Sequence, residues 1–132
     1  MNKGKLYFIV DDDADDQELF IEALEGIDDS CTCITAFNGK DALQKLGTAM
    51  PQMPDFIFLD LNMPLMNGRQ FLREIKNTEL VKDIPVIIYS TSTDTKDVVD
   101  TIEMGAVYFL HKPNRFEDLS KALANIISHK WK

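Results

Sequence analysis

This 132-residue chain is poor in cysteine and basic residues, and it has no long apolar run. Its two cysteines, Cys31 and Cys33, are spaced for neither a disulfide nor a zinc site. The 14 lysines and arginines against 22 acidic residues leave a formal net charge of −8, which argues against non-specific nucleic-acid or anionic-membrane binding. No run approaches the roughly 20 apolar residues of a membrane span. These absences predict a reduced, cytoplasmic protein without direct nucleic-acid or membrane partners.

Short apolar runs alternate with helical patterns along the chain. The runs are Leu6–Val10, Cys31–Phe37, Phe56–Leu59, Val86–Tyr89 and Ala106–Leu110. Four of them are nearly continuous, as in strands covered on both faces, whereas the more mixed second run suits an edge strand. Apolar residues at three- and four-residue spacing predict a helix after each strand, with Gly26 ending the first helix and Asn114 capping the last. This order predicts an α/β (βα)₅ fold with a doubly wound, parallel five-stranded sheet, as one domain over residues 1–132.

Polar residues follow four of the five predicted strands. Asp11 and Asp12 follow the first strand, Asp60 the third, Ser90 the fourth and Lys112 the fifth, after one histidine. In a flavodoxin-like strand order 2-1-3-4-5, the first and third strands flank the switch point at which such sheets bind ligands. Any one of these residues alone is weak evidence, because acids after a strand are usually solvated or cap the next helix. Three carboxylates, a hydroxyl and an amine at one sheet edge together indicate a functional site.

Three converging carboxylates need a cation, because two unit charges 4 Å apart repel by about 4 kcal/mol at an effective dielectric constant near 20. Oxygen ligands without histidine or cysteine favour a hard ion, Mg²⁺ first. An amine and a hydroxyl beside such a site suit a phosphoryl group. The metal, Lys112 and Ser90 can each take one phosphoryl oxygen while a carboxylate oxygen attacks in line.

The whole chain resembles the receiver domain of two-component response regulators, close to the stand-alone chemotaxis type. The matching motifs are Tyr7–Asp13, Leu59–Pro64 with Gly68, Pro85–Ser90, Gly105–Ala106 and Lys112–Pro113. The spacing is also similar, with 30 residues from Asp60 to Ser90 and 22 from Ser90 to Lys112. The stretch from Phe71 to Ser92 is similar to the single-domain receivers that partner cyanobacterial phytochromes.

The resemblance implies that Asp60 accepts a phosphoryl group from a histidine kinase. It also implies that Asp12 and Asp60 bind Mg²⁺ directly, together with the backbone carbonyl of Asn62, and that Asp11 acts through water. Phosphorylation and dephosphorylation would then be self-catalysed, in a signalling protein that is not an enzyme with a turnover substrate.

Further residues take their roles from the same resemblance. Ser90 corresponds to the switch hydroxyl, Lys112 to the phosphate-binding lysine and Phe109 to the switch aromatic. The family also implies a cis bond between Lys112 and Pro113, and a downstream protein partner on the outer face of the fourth helix, fifth strand and fifth helix.

Four other interpretations share part of this pattern. A nucleotide-binding protein of this topology needs an anion loop after the first strand, where this chain has the acidic run Asp11–Asp16 and no GxGxxG motif. A haloacid-dehalogenase-like phosphatase places a second aspartate two residues after the first, where this chain has Asn62. A degenerate receiver that acts as a scaffold would lack a site residue, and none is missing. A phosphorelay intermediate is left open, and the scaffold is kept beside it as the alternative function.

Overall fold

The structure is a computed structural model, and it describes residues 4–48 and 52–131. The described residues form five strands that alternate with five helices. The strands are β1 (Leu6–Val10), β2 (Thr32–Ala36), β3 (Phe56–Leu59), β4 (Val86–Ser90) and β5 (Tyr108–His111), and the helices are α1 (Ala14–Ile27), α2 (Gly39–Thr48), α3 (Gly68–Lys76), α4 (Thr95–Glu103) and α5 (Phe116–Ser128). The sheet is parallel with order β2-β1-β3-β4-β5, which confirms the predicted flavodoxin-like fold. Residues 1–3, 49–51 and 132 of the predicted domain lie outside the described residues.

Helices cover both faces of the sheet, because successive strand residues point to opposite faces. In β1, Phe8 and Val10 belong to the core cluster beneath α2, α3 and α4. Tyr7 and Ile9 belong to the cluster beneath α1 and α5. Every residue of β1, β3 and β4 is buried, whereas in β2 only Ala36 is, as the prediction of an edge strand requires. No helix in the described part of the chain is long and apolar enough to cross a bilayer.

The strand register brings the polar strand ends together. Val10 pairs with Leu59, so the residues that follow β1 and β3 are neighbours, and the Asp60 amide donates to the Val10 carbonyl at 2.9 Å. On the other side, the Lys112 amide donates to the Ser90 carbonyl at 2.8 Å. These pairings place Asp11, Asp60, Ser90 and Lys112 along one edge of the sheet.

Several strand and helix boundaries differ by one or two residues from the sequence-based prediction, at β2, β4, β5 and the end of α1. Ala106 is buried, but its amide donates to the Thr101 carbonyl at the end of α4, and β5 begins at Tyr108. Gly26 does not end α1, which continues to Ile27.

The predicted cap of the last helix is also wrong. Arg115, and not Asn114, occupies the N-cap position of α5, in extended backbone and without a side-chain capping bond. By contrast, the first helix begins as its acidic run indicates, because the Asp13 carboxylate accepts hydrogen bonds from the amides of Asp15 and Asp16.

Candidate functional site

Three carboxylates meet where β1 and β3 end. Asp11, Asp12 and Asp60 each contribute one carboxylate oxygen to a group whose members lie within 4.8 Å of one another. Asp11 and Asp60 are buried, with 2% and 8% of their surface exposed, whereas Asp12 is exposed. Two members of the cluster are therefore buried at the strand ends, and the cluster is open to solvent on the side of Asp12.

Backbone amides and one buried side chain fix the strand ends. The Leu61 amide donates to Asp60 Oδ1 at 2.9 Å, and the Asp13 amide donates to Asp11 Oδ1 at 3.0 Å. The buried Gln17 donates through Nε2 to two carbonyl oxygens, that of Asp11 at 2.8 Å and that of Ala36 at 2.9 Å. Gln17 thus joins the end of β1 to the end of β2, a role that the sequence analysis missed.

Lys112 places a positive charge at this edge of the sheet. Its Nζ lies 3.0 Å from Asp11 Oδ2 and 2.8 Å from Asp16 Oδ2, and 5.1 Å above the ring of Tyr89. The side chain is only 12% exposed. The contact with Asp16 was also missed, since the sequence indicated this residue only as an acid at the start of a helix. The position of Asp16 in the first helical turn after the acidic end of β1 is the sequence feature that could have predicted this contact.

Burial is the main influence on the ionisation of this cluster. Burial raises the pKa of Asp60 to about 6; Lys112 opposes this change, whereas Asp11 and Asp12 reinforce it. The pKa of Asp11 is also raised by burial, against the hydrogen bonds from Asp13 and Lys112. For Lys112, burial would lower the pKa, but hydrogen bonds to Asp16 and Asp11 more than offset this effect, so its pKa is raised.

The donor set fits a hard divalent cation such as Mg²⁺. All three side chains of the cluster offer oxygen, and burial raises the pKa of Asp11 and Asp60, so a nearby cation would favour their ionised form. Asn62, whose carbonyl was predicted to be a further ligand, has an exposed side chain and lies in the loop two residues after Asp60. A cation at the cluster would therefore meet ligands from the ends of both strands.

Ser90 and Phe109, the predicted switch residues, are both buried. Ser90 is fully buried at the end of β4, and its Oγ accepts a hydrogen bond from the Ser92 amide at 3.1 Å. Phe109 is 8% exposed and lies in the core cluster beneath α3 and α4 with Ile88, a residue of β4. Both side chains are buried on neighbouring strands, and the coupling between them stays a prediction.

The predicted cis bond between Lys112 and Pro113 is wrong. No peptide bond among residues 4–48 and 52–131 is cis. Lys112 nevertheless reaches Asp11 and Asp16 across the sheet edge, so a trans bond is compatible with an amine at the site.

Comparison with known proteins gives a consistent result over nearly the whole chain. Residues 7–124 match the response regulator receiver domain. Response regulator Rcp1 of Synechocystis sp. is 33% identical over 131 residues, which cover 96% of this chain and 89% of Rcp1. The crystal structure of its Mn²⁺-bound form aligns with a TM-score of 0.80 at 32% identity, over 94% of this chain and 92% of that chain. The phosphorylated cyanobacterial phytochrome response regulator RcpA gives a TM-score of 0.85 at 31% identity, over 93% and 91% of the two chains.

Some relatives are much longer than this chain. A protein-glutamate methylesterase/protein-glutamine glutaminase of Clostridium acetobutylicum is 35% identical over 129 residues, which cover 96% of this chain. The chain spans 36% of the length of that protein, and 28% of the length of its counterpart in Treponema denticola. The similarity to these proteins is confined to that part of their length.

Proposed function

This chain belongs to the response regulator receiver domain family, and on that premise we propose that it accepts a phosphoryl group from a histidine kinase on Asp60 and signals by a change of its surface. The observation that carries the proposal is the convergence of Asp11, Asp12 and Asp60 within 4.8 Å, with Lys112 Nζ 3.0 Å from Asp11. A nucleophile, a cation site and a fixed positive charge thus share one sheet edge, which is the combination that phosphoryl transfer requires.

Asp12, Asp60 and the Asn62 carbonyl would hold Mg²⁺, with Asp11 acting through water, in the ligand set that the family implies. When bound, the ion supplies positive charge that offsets the negative charge of the carboxylates and of the phosphoryl oxygens. Asp12 is the exposed member of the cluster, so it lies on the side from which a cation and a phosphodonor approach.

The reaction proposed for Asp60 is an in-line displacement. A carboxylate oxygen of Asp60 attacks the phosphorus atom of a phosphohistidine, the P–N bond breaks, and its electron pair stays on the imidazole ring. Asp60 must be ionised to attack, and with a pKa of about 6 it is mostly ionised at neutral pH. Two of the three N–H donors of Lys112 are directed to Asp11 and Asp16, so the third is available for a phosphoryl oxygen. The Ser90 hydroxyl can donate to another.

The same residues suggest how phosphorylation changes the surface. Movement of Ser90 towards a phosphoryl group on Asp60 would open space beneath β4, into which the ring of Phe109, already only 8% exposed, would move further. The outer face of α4, β5 and α5 would then present a changed surface to a downstream protein. Val99, Ile102 and Tyr108 are 47%, 42% and 43% exposed there, which supports this face as the partner surface.

Phosphorylation by a small-molecule donor tests the proposal directly. With acetyl phosphate and Mg²⁺, the chain should acquire acid-labile phosphate, and Asp60→Asn should acquire none. Asp29→Asn is the matched control, because Asp29 is exposed in the turn before β2, at the opposite edge of the sheet, and loses the same charge. Equal labelling in excess EDTA would show that phosphorylation does not require Mg²⁺. Label on Asp60→Asn would mean that another residue accepts the phosphoryl group. A folded chain that no donor phosphorylates would favour the scaffold alternative.

The surface change needs a separate measurement. Beryllofluoride, which mimics a phosphoryl group, should shift the backbone amide resonances of residues 90–110 in the wild-type chain. Unchanged shifts in that range, with binding seen at Asp60, would contradict the coupling between Ser90 and Phe109 and leave the phosphoacceptor role intact. Transfer of label from phosphorylated Asp60 to a histidine-containing phosphotransfer protein would identify a relay intermediate.

A further inference from the structure

A connected set of polar contacts joins α3 to α4 beside the site. Arg69 lies in the first turn of α3, and its guanidinium forms ion pairs with two carboxylates of α4. Nη2 bonds to Asp97, and Nη1 lies 3.3 Å from Asp100 Oδ2. The three side chains are 26–31% exposed, so solvent screens these pairs only in part. The planar guanidinium suits such double contacts, which a single ammonium group does not reproduce.

The contacts continue from Asp97 to the hydroxyl of Ser90. Ser92 Oγ donates to Asp97 Oδ2 at 2.5 Å, and the Ser92 amide donates to Ser90 Oγ at 3.1 Å. His111 Nδ1 lies 2.9 Å from the Ser92 carbonyl oxygen, so β5 holds this turn from the other side. Ser92 is thus the link between the ion pairs of α4 and the buried hydroxyl at the end of β4.

The ionisation of Asp97 agrees with this geometry. The hydrogen bond from Ser92 and then that from Arg69 lower the pKa of Asp97, so its carboxylate is charged throughout the neutral range. The Asp94 carboxylate also caps α4 by accepting from the Lys96 amide, and the Asp94 amide donates to Ser92 Oγ at 3.2 Å. Hydrogen bonds therefore join the start of α4 to the turn after β4.

We propose that Arg69 is a positioning residue for the reaction at Asp60: through Asp97 and Ser92 it holds the Ser90 hydroxyl in its resting place and so lowers the affinity of the site for a phosphoryl group. The inference rests on the proposed function, in which Ser90 moves towards the phosphoryl group. An interaction that is present only in the resting arrangement is lost when the hydroxyl moves. The free energy of that interaction therefore lowers the apparent affinity of the site for a phosphoryl group.

The sign of the effect separates this inference from simple electrostatics. Loss of the Arg69 charge would, by Coulomb attraction alone, weaken the binding of an anion at the nearby carboxylate site. Release of the Ser90 hydroxyl has the opposite result, which is tighter binding of the anion. A purely structural role would lower the stability of the fold without tightening anion binding.

The experiment is a titration of the full chain with beryllofluoride in the presence of Mg²⁺, followed by amide resonances of residues 59–61 and 88–92. Arg69→Gln should bind about threefold more tightly than the wild type, since partly exposed ion pairs contribute that order of free energy. Arg73→Gln is the matched control, because Arg73 lies one turn later on α3, is exposed, and forms no ion pair within the described residues. The affinity of Arg73→Gln for beryllofluoride should stay within experimental error of the wild-type value.

A double-mutant cycle tests the path through Ser92. Ser92→Ala should tighten binding in the same direction, and Arg69→Gln combined with Ser92→Ala should give little further change, because both remove one connected restraint. Arg69→Lys should recover only part of the wild-type affinity. If Arg69→Gln does not fold, as judged by urea unfolding, Asp97→Asn replaces it in the cycle.

The outcomes separate this inference from the proposed function. Equal or weaker beryllofluoride binding by Arg69→Gln, or full additivity with Ser92→Ala, would overturn the inference while the wild type still binds. Failure of the wild type to bind, or equal binding by Asp60→Asn, would instead overturn the proposed function.

Discussion

Replacing Asp60 by asparagine should stabilise the fold at neutral pH, although it removes the residue on which the proposed function depends. Asp60 is buried, and its pKa is raised from 3.8 to about 6, chiefly by burial. An acid with a higher pKa in the folded than in the unfolded chain binds protons more strongly when folded. Its contribution to stability is therefore greatest at low pH and falls as the pH rises from about 4 to about 6.

The magnitude follows from the difference between the two pKa values. A rise from 3.8 to about 6 is about 2 pKa units, and each unit corresponds to 1.36 kcal/mol, so ionised Asp60 destabilises the fold by about 3 kcal/mol above pH 6. Asparagine keeps an oxygen that can accept from the Leu61 amide, so the substitution leaves that donor satisfied. We expect the free energy of unfolding to increase by about 2–3 kcal/mol at pH 7.5, and to be nearly unchanged at pH 4.

Equilibrium unfolding in urea, with EDTA present, measures this difference across the pH range. Trp131 is the only tryptophan of the sequence and provides the fluorescence signal; its Nε1 donates to the Ile126 carbonyl at 2.9 Å, which ties it to α5. Asp29→Asn is again the control, and the free energy of unfolding should change by less than about 0.5 kcal/mol, as for an ordinary surface substitution.

The opposite result has a definite physical meaning. If Asp60→Asn is less stable than the wild type at pH 7.5, attraction between Asp60 and Lys112 outweighs the cost of burying the carboxylate. If the two proteins differ equally at pH 4 and pH 7.5, ionisation of Asp60 is not the source of the difference. Either result would refute the reasoning from burial.

Three further changes test other parts of the site. Addition of Mg²⁺ should raise the urea midpoint of the wild type and have less effect on Asp60→Asn, because a ligand stabilises only a fold that binds it. Lys112→Gln should reduce labelling of Asp60 by on the order of tenfold, since a charge-assisted hydrogen bond is lost, and calorimetric titration should show tighter Mg²⁺ binding because a competing cation is gone. Gln17→Leu should lower the free energy of unfolding by about 2 kcal/mol, because two buried carbonyl oxygens, of Asp11 and Ala36, lose a donor; a loss below 0.5 kcal/mol in urea unfolding would contradict that role.

The fold could be predicted from the sequence because the central strands carry a strong and simple signal. Leu6–Val10, Phe56–Leu59 and Val86–Tyr89 are nearly continuous apolar runs, and a strand must be covered on both faces to bury such a run. Alternation with helices then favours a parallel order. The boundaries were less accurate, since Ala106 is apolar and buried but lies in the turn after α4, with its amide bonded to the Thr101 carbonyl, and not in the sheet.

The residues of the carboxylate cluster could be predicted because topology alone brings the ends of parallel strands to one edge. The hydrogen-bond partners of Lys112 could not be predicted, because they depend on how far the lysine side chain reaches. Among the described contacts its hydrogen bonds go to Asp11 and Asp16, and Asp60 acts on it through space. Nor could the ion pairs of Arg69 be predicted, because they join two helices whose relative placement a linear pattern does not contain.

Lys112 connects the stability of the site with its proposed chemistry. Its hydrogen bonds to Asp11 and Asp16 keep its own charge in place against the cost of burial, so the amine is fixed before any phosphoryl group arrives. Among the described contacts Asp60 accepts no hydrogen bond from this amine, and burial keeps its pKa raised although Lys112 opposes the change. A buried nucleophile beside a fixed cation needs little rearrangement when negative charge develops on a transferred phosphoryl group. The same arrangement that makes Asp60 costly to ionise thus makes it suited to accept that group.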